Sequence, residues 1–146
     1  MLNSSKPMVG NGGDKMRRST VCILDDEDYE LAAAIQKAGV HKIGSWILVY
    51  LLRTGTGTSR EIQAGTGLDQ PSVSIHLRPL IEKGWVLRDV RRAPARVAPH
   101  NIYSLAMPPA DLLETIETEL EEKLSEEQTR VASLVIKLRE AKKSME

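Results

Sequence analysis

A short run of the chain, residues 70–78, carries the side chains best suited to acting on another molecule: Gln70, Ser72, Ser74, Ile75 and Arg78. The chemistry they support is recognition. The Gln70 amide can donate to and accept from an adenine edge, the Arg78 guanidinium can contact guanine or a phosphate, and Ile75 suits a thymine methyl. At helical spacing Gln70, Ser74, Ile75 and Arg78 project from one side, while Val73, Leu77, Leu80 and Ile81 form the opposite, apolar side. Two further groups of residues suit a polyanion. Ser59 and Arg60 follow Thr58 at the start of a preceding helix, where free N–H groups and the helix dipole favour a phosphate oxygen. Arg88, Arg91, Arg92 and Arg96 place four cations over nine positions, suited to a minor groove or a sugar-phosphate backbone.

Other chemistries find little support. His41, His76 and His100 share no short ligand spacing with one another or with Cys22, so no metal site is expected, and His76 reads as making a structural hydrogen bond. The chain has no glycine-rich dinucleotide fingerprint, phosphate-binding loop, nucleophile elbow or H-E-x-x-H pair, and its carboxylates gather in DDEDYE and the C-terminal region. An enzyme and a bound cofactor are therefore not expected. The single cysteine excludes an intramolecular disulfide framework, and there is neither a run of about 18 apolar residues nor a secretory signal. These features predict a cytoplasmic protein without membrane contact.

A net charge of +0 argues against a nucleic-acid partner until its distribution is considered. From Arg60 to Ser104 seven basic residues face four acidic ones, a local balance of +3, whereas Asp111 to Glu146 holds ten acidic and six basic residues, a balance of −4. A basic middle joined to an acidic tail predicts separate roles for the two parts.

The elements that must position these residues are mostly helical. Only 3% of residues are aromatic and Phe is absent, so the core must come from Leu, Ile, Val and Ala. The acidic turn DDED leads into Leu31, Ala34, Ile35 and Ala38, a first amphipathic helix ending near Gly39; Ile43, Trp46, Ile47, Tyr50 and Leu51 mark a second over residues 41–53. Thr58 and Glu61 form a capping box for a short third helix at 61–64, stopped by Gly65 and Gly67. Asp69 caps a fourth helix, 69–83, with Pro71 in its first turn. Two capped helices joined by a short glycine-containing turn make a helix-turn-helix. Beyond Gly84 an extended stretch to about Val90 and a return over 101–105 predict a hairpin whose loop, RRAPARVAPH, is basic.

A long helix is expected from Pro109. Leu113, Glu117, Leu120, Leu124, Glu127, Val131, Leu134, Leu138, Ala141 and Met145 follow a heptad register in which eight of ten positions are apolar. The remaining faces are polar, so a second copy of the chain is the expected cover, with Leu113, Leu120, Leu124, Val131, Leu134 and Leu138 at the dimer seam.

The run SREIQAGTGLDQPSVSIHLRPLIEKGWVLRD resembles the core of the ArsR, MarR and TrmB-like winged helix-turn-helix transcriptional regulators. The likeness extends over residues 43–105. Its most specific part is Gly67 to Leu77, similar to the family's G-L-S-Q-x-x-V-S-x-H-L recognition helix, followed by the spacing from Leu80 to Gly84. Asp69 stands where Ser is common, and Pro79 departs further by removing a helical hydrogen bond. The resemblance implies the same positions for DNA reading.

The expectation is thus a mainly α fold: a winged helix-turn-helix with a three-helix core, a β-hairpin wing and a long C-terminal dimerisation helix. The division expected is a flexible basic N-terminal arm (1–24), a winged helix-turn-helix DNA-binding domain (25–107) and a C-terminal coiled-coil-like dimerisation helix (108–146). The partner expected is double-stranded DNA, bound by a homodimer with helix 69–83 in the major groove and wing 86–104 on the minor groove or backbone. A protein-interaction module of a transcription assembly and an RNA-binding factor are the alternatives. Whether a small effector is sensed is left open.

Overall fold

In the computed structural model, which describes residues 22–91 and 100–146, the central element is helix α2 (Lys42–Thr54). Its middle, Ile47 to Leu51, is buried on every side, because consecutive apolar residues leave no face for water. Helix α1 (Asp26–Lys37) lies against it, joined by an edge-to-face contact of Tyr29 with Trp46 at 5.3 Å. The residues of α1 that reach the core are Ala32 and Ile35, followed by Ala38, whereas Leu31 and Ala34 of the expected stripe are exposed. The face is rotated because Asp28 also turns inward, where it accepts a hydrogen bond from Arg53 of α2. Burial acts to raise the Asp28 carboxyl, but the Asp25 N–H and the Arg53 guanidinium outweigh it and hold the group below its ordinary value.

Strand β1 (Thr56–Thr58) leads into α3 (Ser59–Thr66), and the Thr58–Glu61 capping box is formed in both directions. The helix starts directly after its cap and passes through Gly65, ending at Gly67, whose φ of 77° closes it. It is therefore longer than the expected 61–64. Gly65 serves a different purpose: the chain entering the domain crosses here, with Leu24 N–H donating to the Gly65 carbonyl at 3.1 Å and Leu24 buried in the core.

Helix α4 (Gln70–Glu82) is capped by Asp69, whose side chain accepts from Ser72 N–H at 2.9 Å. It continues through Pro79, and Lys83 N–H still donates to the Pro79 carbonyl at 2.9 Å. Pro79 lies on the exposed side, where water can take the carbonyl its ring leaves unpaired. Strands β2 (Val86–Arg91) and β3 (His100–Leu105) form the hairpin, and β1 adds to it in the antiparallel order β1-β3-β2. Three residues of TGT are too short for alternation to mark them as a strand. They pair only because β3 passes alongside, with Gly57 opposite Tyr103.

Helix α5 (Pro109–Ser144) runs for 36 residues, roughly 54 Å at the usual rise. It joins the core through Leu112 and Ile116, between the expected heptad positions, so Leu113 is left exposed and Leu120 only half-buried. Lys83 at the end of α4 pairs with Glu119 at 3.7 Å. From Glu121 onward every residue except Val135 is exposed. None of the described helices is long and apolar enough to cross a membrane.

Candidate nucleic-acid interface

One side of the molecule collects the side chains expected to contact DNA. In α4, Val73, Leu77 and Leu80 are buried and Ile81 half-buried, while Gln70, Ser74, Ile75 and Arg78 are exposed, Ile75 by 61%. Helical geometry separates the two sets, and packing on α2 and α3 holds the apolar one down. Gln70 Nε2 donates to Ser74 Oγ at 2.9 Å, which restrains the amide before any ligand arrives. Ser72 is half-buried and occupied at the cap; its hydroxyl and N–H bonds hold the Asp69 carboxyl below its ordinary value.

Two grooves flank α4. The larger, about 590 Å³, brings Thr58, Ser59, Arg60 and Gln63 of the α3 end together with Gln70 and Ser74 of α4 and His100, Asn101 and Tyr103 of β3. The smaller, about 420 Å³, is bounded by Ser74, Arg78 and Glu82 on one side and by Arg88, Asn101 and Tyr103 on the other. Thus Ser59, Arg60, Gln70, Ser74, Arg78 and Arg88, scattered along the sequence, share one continuous surface. Ile75 is exposed on α4 but lines neither groove. Arg91 ends β2, while Arg92 and Arg96 lie outside the described residues. Gln63, His100, Asn101 and Tyr103 are additional lining residues that spacing did not reveal, because they reach the grooves only when β3 folds back beside α4.

A contact behind this surface was also illegible in sequence. His76 of α4 stacks on His41, with ring centroids 4.4 Å apart and planes inclined by 21°. His41 is the N-cap of α2, its Nδ1 accepting the Ile43 N–H at 3.1 Å, so its neutral tautomer carries the proton on Nε2. Stacking thus takes the place of the hydrogen bond expected of His76. No group of three metal-ligating side chains occurs among the described residues.

Desolvation, then the neighbouring His41, pushes the His76 imidazole below its ordinary value. The unfolded chain therefore binds a proton that the folded chain resists. The contribution is complete above the unfolded value of about 6.5 and declines as pH falls from there toward the depressed folded value. His76→Gln is expected to flatten the fall in urea-unfolding stability between pH 7 and pH 5; an unchanged slope would place the acid sensitivity elsewhere.

No family model matches the chain, and no curated protein matches it. Among solved structures it is similar to TrmBL2, an archaeal chromatin protein with a novel mode of DNA binding, at 21% identity and a TM-score of 0.51, over 77% of this chain and 42% of that one. The fold is a winged helix-turn-helix. This chain spans less than half of TrmBL2. Two other likenesses are weaker in superposition: MarR from E. coli in its apo form, at 19% identity and a TM-score of 0.49 over 79% of this chain and 88% of that one, and Stf76 from the Sulfolobus islandicus plasmid-virus pSSVx, at 23% identity and 0.41 over 51% and 92%. In winged-helix terms α3 and α4 are the helix-turn-helix, β2 and β3 the wing, and the two grooves run where the wing meets the second helix of the pair.

Proposed function

We propose that this winged-helix chain is a sequence-specific duplex-DNA-binding transcriptional regulator, cytoplasmic and acting as a homodimer. The observation that carries the reading is the convergence of Gln70, Ser74 and Arg78 with Ser59, Arg60 and Arg88 on one surface. That surface matches what a duplex offers: exposed donors and acceptors on a helix narrow enough for a major groove, flanked by cations for the phosphates on either side. TrmBL2, which shares the fold, is itself described by its DNA binding.

In this reading α4 enters the major groove. Gln70, already oriented by Ser74, meets adenine, Arg78 meets guanine or a phosphate, and Ile75 meets a thymine methyl. Ser59 and Arg60 take a phosphate at the N-terminal end of α3, and Arg88, Arg91, Arg92 and Arg96 serve the wing's approach to the backbone or minor groove. Residues 25–107 form the DNA-binding domain, while 108–146 supply the dimer helix. Leu120, Leu124, Val131, Leu134 and Leu138 form its seam, with Leu113 at the edge nearest the domain. Glu127, at a seam position, is occupied by Arg130 on its own helix. A two-fold dimer presents two copies of α4 to half-sites about 10 base pairs apart, or a multiple of it.

Selection from random duplexes followed by binding titrations tests the reading. The selected site is expected to be a pseudo-palindrome bound with a steep salt dependence. Gln70→Ala and Arg78→Ala should each relax preference at one position, at a cost of about 1–3 kcal/mol for the preferred base. Arg60→Ala and Arg88→Ala should weaken all duplexes alike and lower the salt slope. Selection of no duplex, or stronger binding of single-stranded RNA, would overturn it.

A further inference from the structure

The two grooves beside α4 share three residues: Ser74 on the helix and Asn101 and Tyr103 on β3. They form a waist in one trough open at both ends. Asn101 and Tyr103 are two positions apart on a strand and so point to the same face. The Tyr103 residue is only 7% exposed, with its ring built into the core, yet it borders both grooves. Asn101 Nδ2 donates to the Tyr103 hydroxyl oxygen at 3.4 Å. That bond occupies the oxygen, so the phenol hydrogen and the second amide hydrogen of Asn101 remain to be donated elsewhere.

We infer that the waist holds one phosphate of a DNA strand lying along the trough, through two uncharged donors, the Tyr103 hydroxyl and the Asn101 amide. The inference rests on the DNA-binding reading above and names the contact that fixes the depth of α4 in the groove. Arg60 borders one side of the waist and Arg78 and Arg88 the other, with Glu82 the sole acidic lining residue among those described. An extended polyanion threads such a site, with its neighbouring phosphates reaching the cations while the central one meets fixed neutral dipoles. Tyr103 is well suited to a positioning role because its ring is immobilised by packing, so little side-chain freedom is lost on binding. An arginine at the same distance would supply charge without that rigidity.

The test uses full-length protein and the selected duplex. Tyr103→Phe keeps the ring and its packing and gives up the long bond from Asn101, so the melting temperature should fall by no more than a few degrees. Loss of a hydrogen bond to a charged group should weaken binding of every duplex about tenfold, and Asn101→Ala should act in the same direction. Neither should alter the selected sequence or the slope of log affinity against log salt, because an uncharged donor releases no counterion. A duplex series carrying one neutral methylphosphonate at a time supplies the second readout. At one position the substitution should weaken the parent yet leave Tyr103→Phe nearly unaffected.

Parent-like affinity in Tyr103→Phe, with the parent binding its duplex, would overturn this inference and leave the regulator reading intact. A changed consensus or a shallower salt slope in that variant would overturn it too, by making Tyr103 a reader or a support for the cations. Failure of the parent to bind any duplex would remove both.

Discussion

Gly65→Ala is expected to destabilise the protein by about 2 kcal/mol or more, although alanine in a helix interior ordinarily gains about 1 kcal/mol over glycine. The sign is decided by space. A Cβ at this position would lie 2.4 Å from the Cys22 carbonyl oxygen and 3.1 and 3.3 Å from two carbons of the Tyr50 ring. Backbone cannot yield as the end of a flexible side chain can. Relief requires either lifting residues 22–24 from α3, which breaks the Leu24 N–H bond to Gly65 and exposes Leu24, or pushing α3 away from Tyr50. Exposing a buried leucine alone costs about 1.5–3 kcal/mol, which exceeds the helical gain. Urea unfolding should show a lower midpoint. A Leu24→Ala change on top of Gly65→Ala should cost clearly less than it does alone, because the two would share one loss. A Gly65→Ala protein as stable as the parent would mean that the entering segment does not rest on α3 as described.

The double substitution Leu124→Lys with Leu134→Lys is expected to convert the protein to a monomer and to weaken operator binding by at least about a hundredfold, the scale on which linked half-sites reinforce each other. In the single chain Leu124 is 57% exposed, Val131 47%, Leu134 52% and Leu138 71%. In the proposed homodimer this exposed far half of α5 is what the partner helix covers. A second copy supplies the same stripe by symmetry, and each substitution then counts twice. Covering the two leucines of each chain, each about half exposed, stabilises the dimer by roughly 3–6 kcal/mol, and lysines in their place add like-charge repulsion. Sedimentation should show the halved mass, and circular dichroism a loss of helix. The domain itself should remain folded, since Leu112 and Ile116, which anchor α5 to the core, are untouched. A parent that is monomeric at micromolar concentration, or a variant that still dimerises, would remove the seam.

Much of the architecture was written locally. The Thr58–Glu61 box and the Asp69 cap are satisfied within one helical turn, so their start points were readable from residue type and spacing alone. The two sides of α4 were readable for the same reason: a helix turns by a constant angle, and choosing Val73, Leu77 and Leu80 for the core leaves Gln70, Ser74 and Arg78 outside. What escaped was always a matter of which distant segment comes alongside. The inward face of α1 was shifted by the Asp28–Arg53 pair, the crossing at Cys22 made Gly65 a contact rather than a stop, and Leu112 and Ile116, not Leu113, took α5 into the core.

The sequence by itself therefore determined which stretches are helical, the caps of α3 and α4, the two strands of the hairpin and the faces that α4 turns inward and outward, because each depends on residues within a few positions of one another. Only the tertiary structure decided that β1 would exist, that His41 would lie against His76, and that Asn101 and Tyr103 would meet Ser74 at the waist of one trough. These depend on closing long stretches of chain, and no local periodicity records where such a closure brings two side chains together.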